Sequence, residues 1–497
     1  MKHGMTKRLC ALFLLTAMLA SCGNGGNAET TSDNGTESIT EAASTTENEE
    51  TEATYPAEVK KYDGYTFTIL NQEDDFWTGS NHILDYEELT GDGLSDAVYN
   101  RNRDAEATLD IKLEIIKGSL GQTNDMRAMM NKAVAAMEDI YDVVYIPLNY
   151  SGATSFDGKS TLNLHTVKSL LLDREWWSQS FIKEATIGDN LLYTTIDYVN
   201  LMGYAYSNGL IFNRGMYEKY GMETPYEFVR AGKWTYDRMN EAIANVVSMG
   251  TQTDWKPDLG GDAIYGLVGQ HAEATVTLLQ ASGERLIVKD DKNMPVLNTA
   301  IDRAMDAYDR LMQIFSLEGN CMLINKPECQ GFMFLLEDRG LFYIGALGST
   351  SSSTYRESDA EYGILPVPKY MEEQTDYNTM VSQYTFALNI PLTAGDPERT
   401  GAIMDYLAYQ SYRNVIPVLQ TNMCYKGVSD PNDIEMMDVL LSTQTLDIGQ
   451  LYGWTADFLN TACGESKMLK GVNTFVSDWA KRTDQIESKI EKLFTEE

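Results

Sequence analysis

An alternation of short apolar strands and amphipathic helices near the start of the folded chain most constrains the fold. The runs Tyr65–Leu70, Ile111–Ile116 and Tyr141–Ile146 are rich in β-branched, aromatic and aliphatic residues, which is typical of strands. Between them, Leu94–Ala107 and Asn124–Ala136 place apolar residues at helical spacing. The order β-α-β-α-β predicts a parallel sheet with helices on its faces.

Polar and aromatic residues lie at the ends of two of these predicted strands. Asp74, Asp75 and Trp77 follow the first strand, and Asn149 follows the third strand, in which Tyr145 lies. Ligands of parallel sheets bind beyond the carboxyl ends of the strands, so we expect these five residues at a ligand site. The alternative for Asp74 and Asp75 is a pair of solvated loop carboxylates.

The N-terminus has the features of a secretory signal. A basic start is followed by an apolar run too short to cross a membrane comfortably and by small residues before a cysteine. Leu19-Ala20-Ser21-Cys22 resembles the lipobox of bacterial lipoproteins. That resemblance implies removal of residues 1–21, acylation of Cys22 with lipid such as palmitate, and a protein held on the extracytoplasmic face of the cell membrane. An ordinary signal peptide that contains a cysteine is the alternative.

Residues 22–56 are predicted to be a disordered, acidic tether. Thr, Ser, Glu, Gly and Asn dominate this segment, and its apolar side chains are too few to offset the entropy of ordering it. About 440 residues remain for the folded part, which exceeds what one core usually supports. We therefore expect two lobes.

The charge of the chain excludes one class of partner. The formal net charge is −34; without the +3 of the signal and the eight acidic residues of the tether, the folded part still carries about −29. Such a surface repels nucleic acid and anionic headgroups. We therefore expect no nucleic-acid partner, and acidic ligands are disfavoured.

Cysteine and histidine usage gives no support for a metal site. Cys321, Cys329, Cys424 and Cys463 are too sparse for a disulfide scaffold, and the first two could either close a small loop or remain free thiols. The chain has four His and no paired C-x-x-C. It also lacks G-x-S-x-G, P-loop and H-E-x-x-H motifs. We expect no metal, no cofactor and no enzymatic activity.

The middle of the chain is predicted to continue with one helix and two strands. Leu162–Leu172 is expected to be helical, and Asn190–Thr195 and Asn200–Tyr206 are expected to be strands. A strand would point Tyr204 and Tyr206 to the same side, where either could face a ligand or both could pack.

Short motifs in a fixed order carry a family resemblance over residues 60–497. They are Gly203-Tyr204-Ala205-Tyr206 leading to Phe212-Asn213, then Pro225–Val229, Gly232–Thr235, Tyr265–Leu267, Gly340–Gly345 and Tyr362–Tyr370. Together with the lipobox and the acidic tether, their order resembles that of the extracellular solute-binding proteins of family 1, the sugar-binding group of bacterial ABC importers.

The resemblance implies an α/β, two-lobed, periplasmic-binding-protein-like fold with parallel-sheet lobes joined by crossing hinge strands. Mapped onto this chain, the first lobe is residues 60–205 plus 341–385, and the second is residues 208–340 plus 386–497. The crossings are expected near residues 206–210, 339–341 and 384–388.

The resemblance also implies further site residues. Positions that match loops facing the ligand in that family are His271, Tyr343, Tyr452 and Trp454. Sugars offer apolar ring faces edged by hydroxyls, so aromatic side chains beside planar polar groups suit them. The alternative for His271 is a structural role without ligand contact.

The expected function is capture of a solute, most simply a mono- or oligosaccharide, by a monomer that delivers it to an ABC permease. Two alternatives remain from the sequence: a lipid-anchored, glycan-processing hydrolase, and a surface glycan-binding lipoprotein without a transporter. Peptides, polyols and sugar acids also remain open as solutes.

Overall fold

Two mixed sheets organise the protein in the computed structural model, which describes residues 54–72, 83–118, 125–148, 159–324, 330–423 and 430–495. The strands within these ranges are β1 (Tyr65–Gln72), β2 (Ile111–Gly118), β3 (Val143–Pro147), β4 (Asn208–Asn213), β5 (Tyr265–Gly269), β6 (Ile287–Lys289), β7 (Pro295–Leu297), β8 (Cys321–Leu323), β9 (Gly340–Ala346), β10 (Tyr362–Leu365), β11 (Thr379–Met380), β12 (Phe386–Asn389) and β13 (Gln444–Thr445).

Helices surround both sheets. They are Gly93–Leu109, Asp125–Ala135, Gln179–Ala185, Met202–Ala205, Arg214–Lys219, Tyr226–Arg230, Tyr236–Ala244, His271–Ala281, Asp302–Phe315, Gly331–Leu336, Ser353–Glu357, Pro397–Gln410, Ile416–Met423, Pro431–Ser442, Ile448–Leu451, Ala456–Ala462, Glu465–Met468, Phe475–Ala480 and Thr483–Thr495, with 3-10 turns at Leu164–Thr166 and Leu347–Ser351 and a π-helical turn at Ser411–Val415.

The first sheet confirms the predicted β-α-β-α-β unit. Its order is β2-β1-β3-β12, and β1 runs parallel to both β2 and β3. The two predicted helices are present, and Asp92 begins the first of them by accepting hydrogen bonds from the backbone N–H groups of Leu94 and Ser95. Strand β12 closes the sheet antiparallel to β3, with Phe386 opposite Pro147.

The second sheet has the order β10-β4-β9-β5-β8. Strand β5 is parallel to β8 and β9, whereas β4 is antiparallel to β9, with Asn208 opposite Ala346. The start of β4 therefore lies at the edge where the parallel strands end. In parallel sheets this is the edge that binds ligands.

Three strands lie in a different sheet from the one that the expected lobe boundaries imply. Strands β9 and β10 pair with β4 in the second sheet, and β12 pairs with β3 in the first. The chain also does not cross at residues 339–341, because Gly340 pairs with Tyr265 inside the second sheet. All these strands are short and mostly buried, so their composition does not reveal which strand each one pairs with.

Three predicted elements of the middle segment are wrong. Residues 162–172 form one 3-10 turn rather than a helix, residues 190–195 form no regular strand, and residues 202–205 are a helical turn. Hydrogen bonds from side chains favour the helical turn at residues 202–205. The Asp197 carboxylate accepts the backbone N–H groups of Val199 and Asn200 at 2.8 and 3.0 Å, and the Asn200 side chain accepts that of Met202 at 3.2 Å. Such local bonds compete with a strand ladder.

The chain passes between the two sheets at residues 206–208 and 381–385, which we call the crossing. The two segments run antiparallel, with Ser207 bridged to Val381. The backbone N–H of Ser382 donates to the carbonyl of Tyr206 at 2.8 Å. These positions overlap the expected crossings near residues 206–210 and 384–388, but residues 381–385 lead into the first sheet, which the sequence assignment had the chain leave there.

The described chain begins with a side chain fixed in the core. The Tyr55 hydroxyl donates to Asp405 at 2.9 Å, and Asp405 is fully buried. The same carboxylate accepts the backbone N–H of Leu171 at 2.9 Å and the indole N–H groups of Trp176 and Trp177 at 3.0 and 2.9 Å. Burial raises the pKa of Asp405, and its four donors oppose that shift.

The expectations for the lipid anchor and for the cysteines are only partly covered by the described residues. Cys22 and the tether up to residue 53 lie outside them, as do Cys329 and Cys424. Cys321 and Cys463 are free thiols. Within the described ranges, every helix is too short or too polar to span a membrane.

Asp405 and Tyr55 give a matched stability test. Asp405→Ala leaves two indole N–H groups and a backbone N–H buried without an acceptor, so we expect the free energy of unfolding to fall by at least about 3 kcal/mol. Tyr55→Phe removes one hydrogen bond and should cost about 1 kcal/mol. Urea unfolding of the protein from residue 23 onward measures both. Equal losses in the two variants would contradict the role assigned to Asp405.

Candidate functional site

Several predicted site residues lie just beyond the strand ends. Asp74, Asp75, Trp77 and Asn149 fall outside the described residues. They stay predictions. His271 begins the helix His271–Ala281 directly after β5, and only its backbone is described.

Tyr145 lies in the core and not beyond the carboxyl end of its strand. Its side chain is fully buried, and its hydroxyl donates to Asp197 at 2.7 Å. Arg101, also buried, donates to the carbonyl of Val199 at 2.9 Å and to the hydroxyl of Ser411 at 3.0 Å. Burial raises the pKa of Asp197 to about 6 and lowers that of Arg101 to about 10. This buried network holds the turn that leads into the crossing.

Tyr204 and Tyr206 do not share a side, because a helical turn and not a strand carries them. Tyr204 is buried, with its ring 5.7 Å from that of Tyr198. Tyr206 is partly buried at the crossing. Burial raises the pKa of Tyr206, and the negative charge of Glu273 raises it further. Tyr206 therefore lies near an acidic group.

Tyr343 reaches the same neighbourhood from β9. The Tyr343 ring packs against Gly345, near the end of β9. A Cβ atom at position 345 would lie 2.7 Å from the Tyr343 hydroxyl and 2.8 Å from its ring, so a larger residue there would clash with the ring. Burial raises the pKa of Tyr343, and the charges of Glu273 and Tyr206 add to that shift. The structure thus brings Tyr206, Tyr343 and Glu273 within electrostatic range of one another.

Glu273 lies at the centre of this group and was not predicted. It is partly buried in the first turn of the helix His271–Ala281. The side chains of Asn208 and Ser382 donate hydrogen bonds to its carboxylate, and burial raises its pKa despite these bonds. We call Tyr206, Asn208, Glu273, Tyr343 and Ser382 the crossing cluster. The available sequence signal was the one acidic residue of a helix that directly follows a buried strand.

Tyr452 and Trp454 form a separate, buried pair. Their ring centroids lie 4.4 Å apart at an interplanar angle of 15°, so the rings are stacked. Gly453 between them has a φ of +69°, a conformation that favours glycine. Both aromatic side chains are buried. Gln450 precedes the pair, and its side-chain oxygen accepts a hydrogen bond from Gln280 at 2.9 Å.

A small cavity opens beside Glu273. It has a volume of about 30 Å³, and its lining includes Met380, Gln383 and Gln450. This is room for a water molecule or a small polar group. Larger surface grooves lie elsewhere, about 450 Å³ beneath residues 55–62 and about 220 Å³ beside residues 217–245. Their linings contain no residue of the crossing cluster.

The antiparallel pair of β6 and β7, with the turn between them, contacts residues 183–188. The Lys289 ammonium donates to the carbonyls of Lys183 and Thr186 at 2.8 and 2.7 Å. The Asn293 side chain donates to the carbonyls of Thr186 and Gly188 at 3.0 and 2.8 Å. These carbonyls lie in the last turn of the helix Gln179–Ala185 or just after it, and a cation is favourable at such an end.

The described side chains do not suggest a metal centre. His, Cys, Asp and Glu residues within the described ranges do not assemble in threes around a common point. The crossing cluster offers one carboxylate, two phenols, an amide and a hydroxyl. Its chemistry suits hydrogen bonding to a small polar molecule.

Asp197 predicts a pH dependence of stability. Its pKa is raised from 3.8 to about 6, so the folded state binds the proton more tightly than the unfolded state. The stabilisation from this group is present below about pH 4 and is lost as the pH rises to about 6, a change of roughly 2 to 3 kcal/mol. Asp197→Asn should remove that loss, whereas Tyr145→Phe should retain it. Urea unfolding between these pH values measures the difference; parallel curves for wild type and Asp197→Asn would contradict the prediction.

Comparisons with known proteins identify the fold. No family model and no curated protein matches the chain. Among solved structures, the galacto-N-biose-/lacto-N-biose I-binding protein of Bifidobacterium longum is 12% identical with a TM-score of 0.57, covering 86% of this chain and 98% of that protein. A cyclo/maltodextrin-binding protein complexed with maltotetraose is 13% identical with a TM-score of 0.56, covering 88% and 100%.

The GacH receptor of Streptomyces glaucescens, solved unliganded and with acarbose, is 11% identical with a TM-score of 0.54, covering 86% of this chain and 99% of that protein. The likeness concerns the fold, and it extends over nearly the whole length of each neighbour. The chain has the two-lobed α/β fold of the sugar-binding solute-binding proteins of ABC transporters, as its resemblance to that group predicted.

Proposed function

We propose that the protein is an extracytoplasmic, non-catalytic solute-binding protein that captures a carbohydrate and delivers it to an ABC permease. The observation that carries the proposal is the crossing cluster, which gathers aromatic and polar side chains where the chain passes between the two sheets. The solved neighbours with this fold include proteins crystallised with lacto-N-biose and maltotetraose.

The chemistry of the cluster suits a sugar. Tyr206 and Tyr343 supply aromatic faces and hydroxyls, and Gln383 and Gln450 line the adjoining cavity with amides that can both donate and accept. Sugar rings present apolar faces and hydroxyls at their edges, so this combination matches them. Asp74, Asp75, Trp77, Asn149 and His271 remain proposed as further contacts.

The mechanism we propose is lobe closure. The lobes are built on the two sheets, and the crossing is the hinge between them. A ligand that contacts groups from both lobes favours the closed form because it binds that form more tightly. The hydrogen bonds of Lys289 and Asn293 to carbonyls near the end of residues 179–188 add contacts that closure can retain.

The hydrolase alternative receives little support from the crossing cluster. A glycosidase of the usual kind needs two carboxyl groups about 5 to 10 Å apart across one bond. Glu273 is the acidic member of the cluster. Asp447, near the adjoining Gln450, accepts the backbone N–H of Gln450 at 3.0 Å and so begins a helix. Binding without turnover is the simpler use of these groups.

The proposal includes a lipid anchor. Residues 1–21 would be the signal, Cys22 the acylated N-terminus, and residues 22–56 the tether. The contact of Tyr55 with Asp405 supports this division, because the folded part begins just before the proposed tether ends. A protein held in this way stays close to a membrane-embedded permease, and one anchor on each chain is compatible with a monomer.

A thermal-shift screen tests the solute class. The protein from residue 23 onward is heated with saccharides, polyols, amino acids and peptides, and a ligand at about 100 times its Kd should stabilise the fold by about 2.7 kcal/mol. We expect a saccharide to bind without being consumed. Tyr206→Phe and Tyr343→Phe should each weaken binding by up to about tenfold, because each removes one hydrogen bond.

Tyr220→Phe is the matched control for these variants. Tyr220 follows the helix Arg214–Lys219 beyond the far end of β4, so its hydroxyl should not affect binding. A response only to amino acids or peptides would overturn the carbohydrate assignment. Chemical conversion of a bound saccharide would overturn the non-catalytic assignment.

Cys22→Ala tests the anchor, with Cys10→Ala as the matched control. The first variant should appear in the soluble extracytoplasmic fraction and lose incorporation of labelled palmitate. The second changes a cysteine inside the signal and should remain in the membrane fraction. Membrane retention and labelling of Cys22→Ala would contradict the assignment.

A further inference from the structure

Glu273 is a carboxylate between the two segments of the crossing. The helix that carries it starts directly after β5, at the edge where parallel strands end. Its two side-chain donors come from both crossing segments, Asn208 from the first and Ser382 from the second. The carboxylate is therefore held in place by the hinge itself.

This carboxylate has no cationic side chain to balance it among the described residues. Burial raises the pKa of Glu273, and the two neutral donors lower it. Among the described residues, no lysine or arginine contributes to its pKa. Removing a carboxylate from water without a countercharge is costly, and neutral hydrogen bonds recover only part of that cost. The site is therefore short of positive charge.

A buried acceptor lies next to it. The Asn208 side chain is fully buried, and its amide N–H donates to Thr277 at 2.9 Å. The Asn208 Oδ1 atom is also buried and receives no hydrogen bond. A buried acceptor without a donor costs free energy, so a donor brought by a ligand would be stabilising.

Aromatic rings and the overall charge add to the same preference. Tyr206 and Tyr343 lie close enough for the charge of Glu273 to raise the pKa of each hydroxyl. The faces of tyrosine rings attract cations. The folded part also carries a net charge of about −29, which draws cations towards it. The cavity of about 30 Å³ beside Glu273 matches one ammonium group in size.

The geometry points to a solute that carries a protonated amine, bound by Glu273, with Asn208 Oδ1 as a second acceptor and Tyr206 and Tyr343 beside it. This inference rests on the proposed function, and within that function it selects amino sugars over neutral sugars. The amine supplies up to three donors and the missing positive charge. A neutral sugar would supply donors but no positive charge.

The experiment compares two ligand series that differ in the amine alone. Glucosamine oligosaccharides and their N-acetylated counterparts are titrated into the protein from residue 23 onward by calorimetry, at about pH 6.5, where a sugar amine is largely protonated. Maltodextrins and spermidine complete the set. We expect the free-amine series to bind at least tenfold more tightly than the acetylated series, with a preference that weakens as salt is added.

Two variants assign the preference to its residue. Glu273→Gln keeps the shape of the side chain and one oxygen that can accept from Asn208 or Ser382, and it should abolish the preference for the amine. Glu241→Gln, which changes an exposed carboxylate paired with Arg238, should leave it intact. The comparison between ligand series in the wild-type protein needs no variant, so it stands even if Glu273→Gln folds poorly.

The outcomes separate this inference from the proposed function. Equal binding of the amine and acetylated series, or a preference that survives in Glu273→Gln, overturns the inference and leaves carbohydrate binding standing. Binding of spermidine through Glu273 without binding of any saccharide supports the cationic site and overturns the carbohydrate assignment. The absence of binding to every probe overturns both.

Discussion

The antiparallel contact between residues 206–208 and 381–385 is the constraint on which the rest of the structure depends. It links the two sheets through the bridge between Ser207 and Val381 and the hydrogen bond from Ser382 to Tyr206. Each sheet places the ends of its parallel strands towards this junction. A ligand held there can touch groups from both sheets, and that is the physical requirement for coupling binding to closure.

The crossing cluster is less completely hydrogen-bonded than the two buried networks around Asp197 and Asp405. Tyr145 and Asp197 satisfy each other by a hydrogen bond, and Asp405 accepts four donors. Glu273 has two neutral donors, and the nearby Asn208 Oδ1 has none. Satisfied networks stabilise a fold, whereas incompletely satisfied polar groups at a junction suit a site that a ligand completes.

Sequence periodicity predicted much of the first sheet and little of the second. Strands β1 to β3 and their helices follow one another along the chain, so local patterns reveal them. Strand β12 pairs with β3 and strand β9 with β4, each more than a hundred residues away along the chain, and their apolar composition does not favour either sheet. Among the site residues, Tyr145 was predicted because it lies close in sequence to Asn149. Glu273 becomes a candidate only in the folded chain, where the crossing brings Asn208 and Ser382 beside it.

Hydrogen–deuterium exchange with and without a saturating saccharide tests the central claim most directly, because it locates the ligand and the hinge in one measurement. The account predicts slower exchange at residues 206–208, 271–277 and 381–385, with little change in the grooves beside residues 55–62 and 217–245. Protection confined to either of those grooves, with none at the crossing, would contradict the assignment of the crossing as the site.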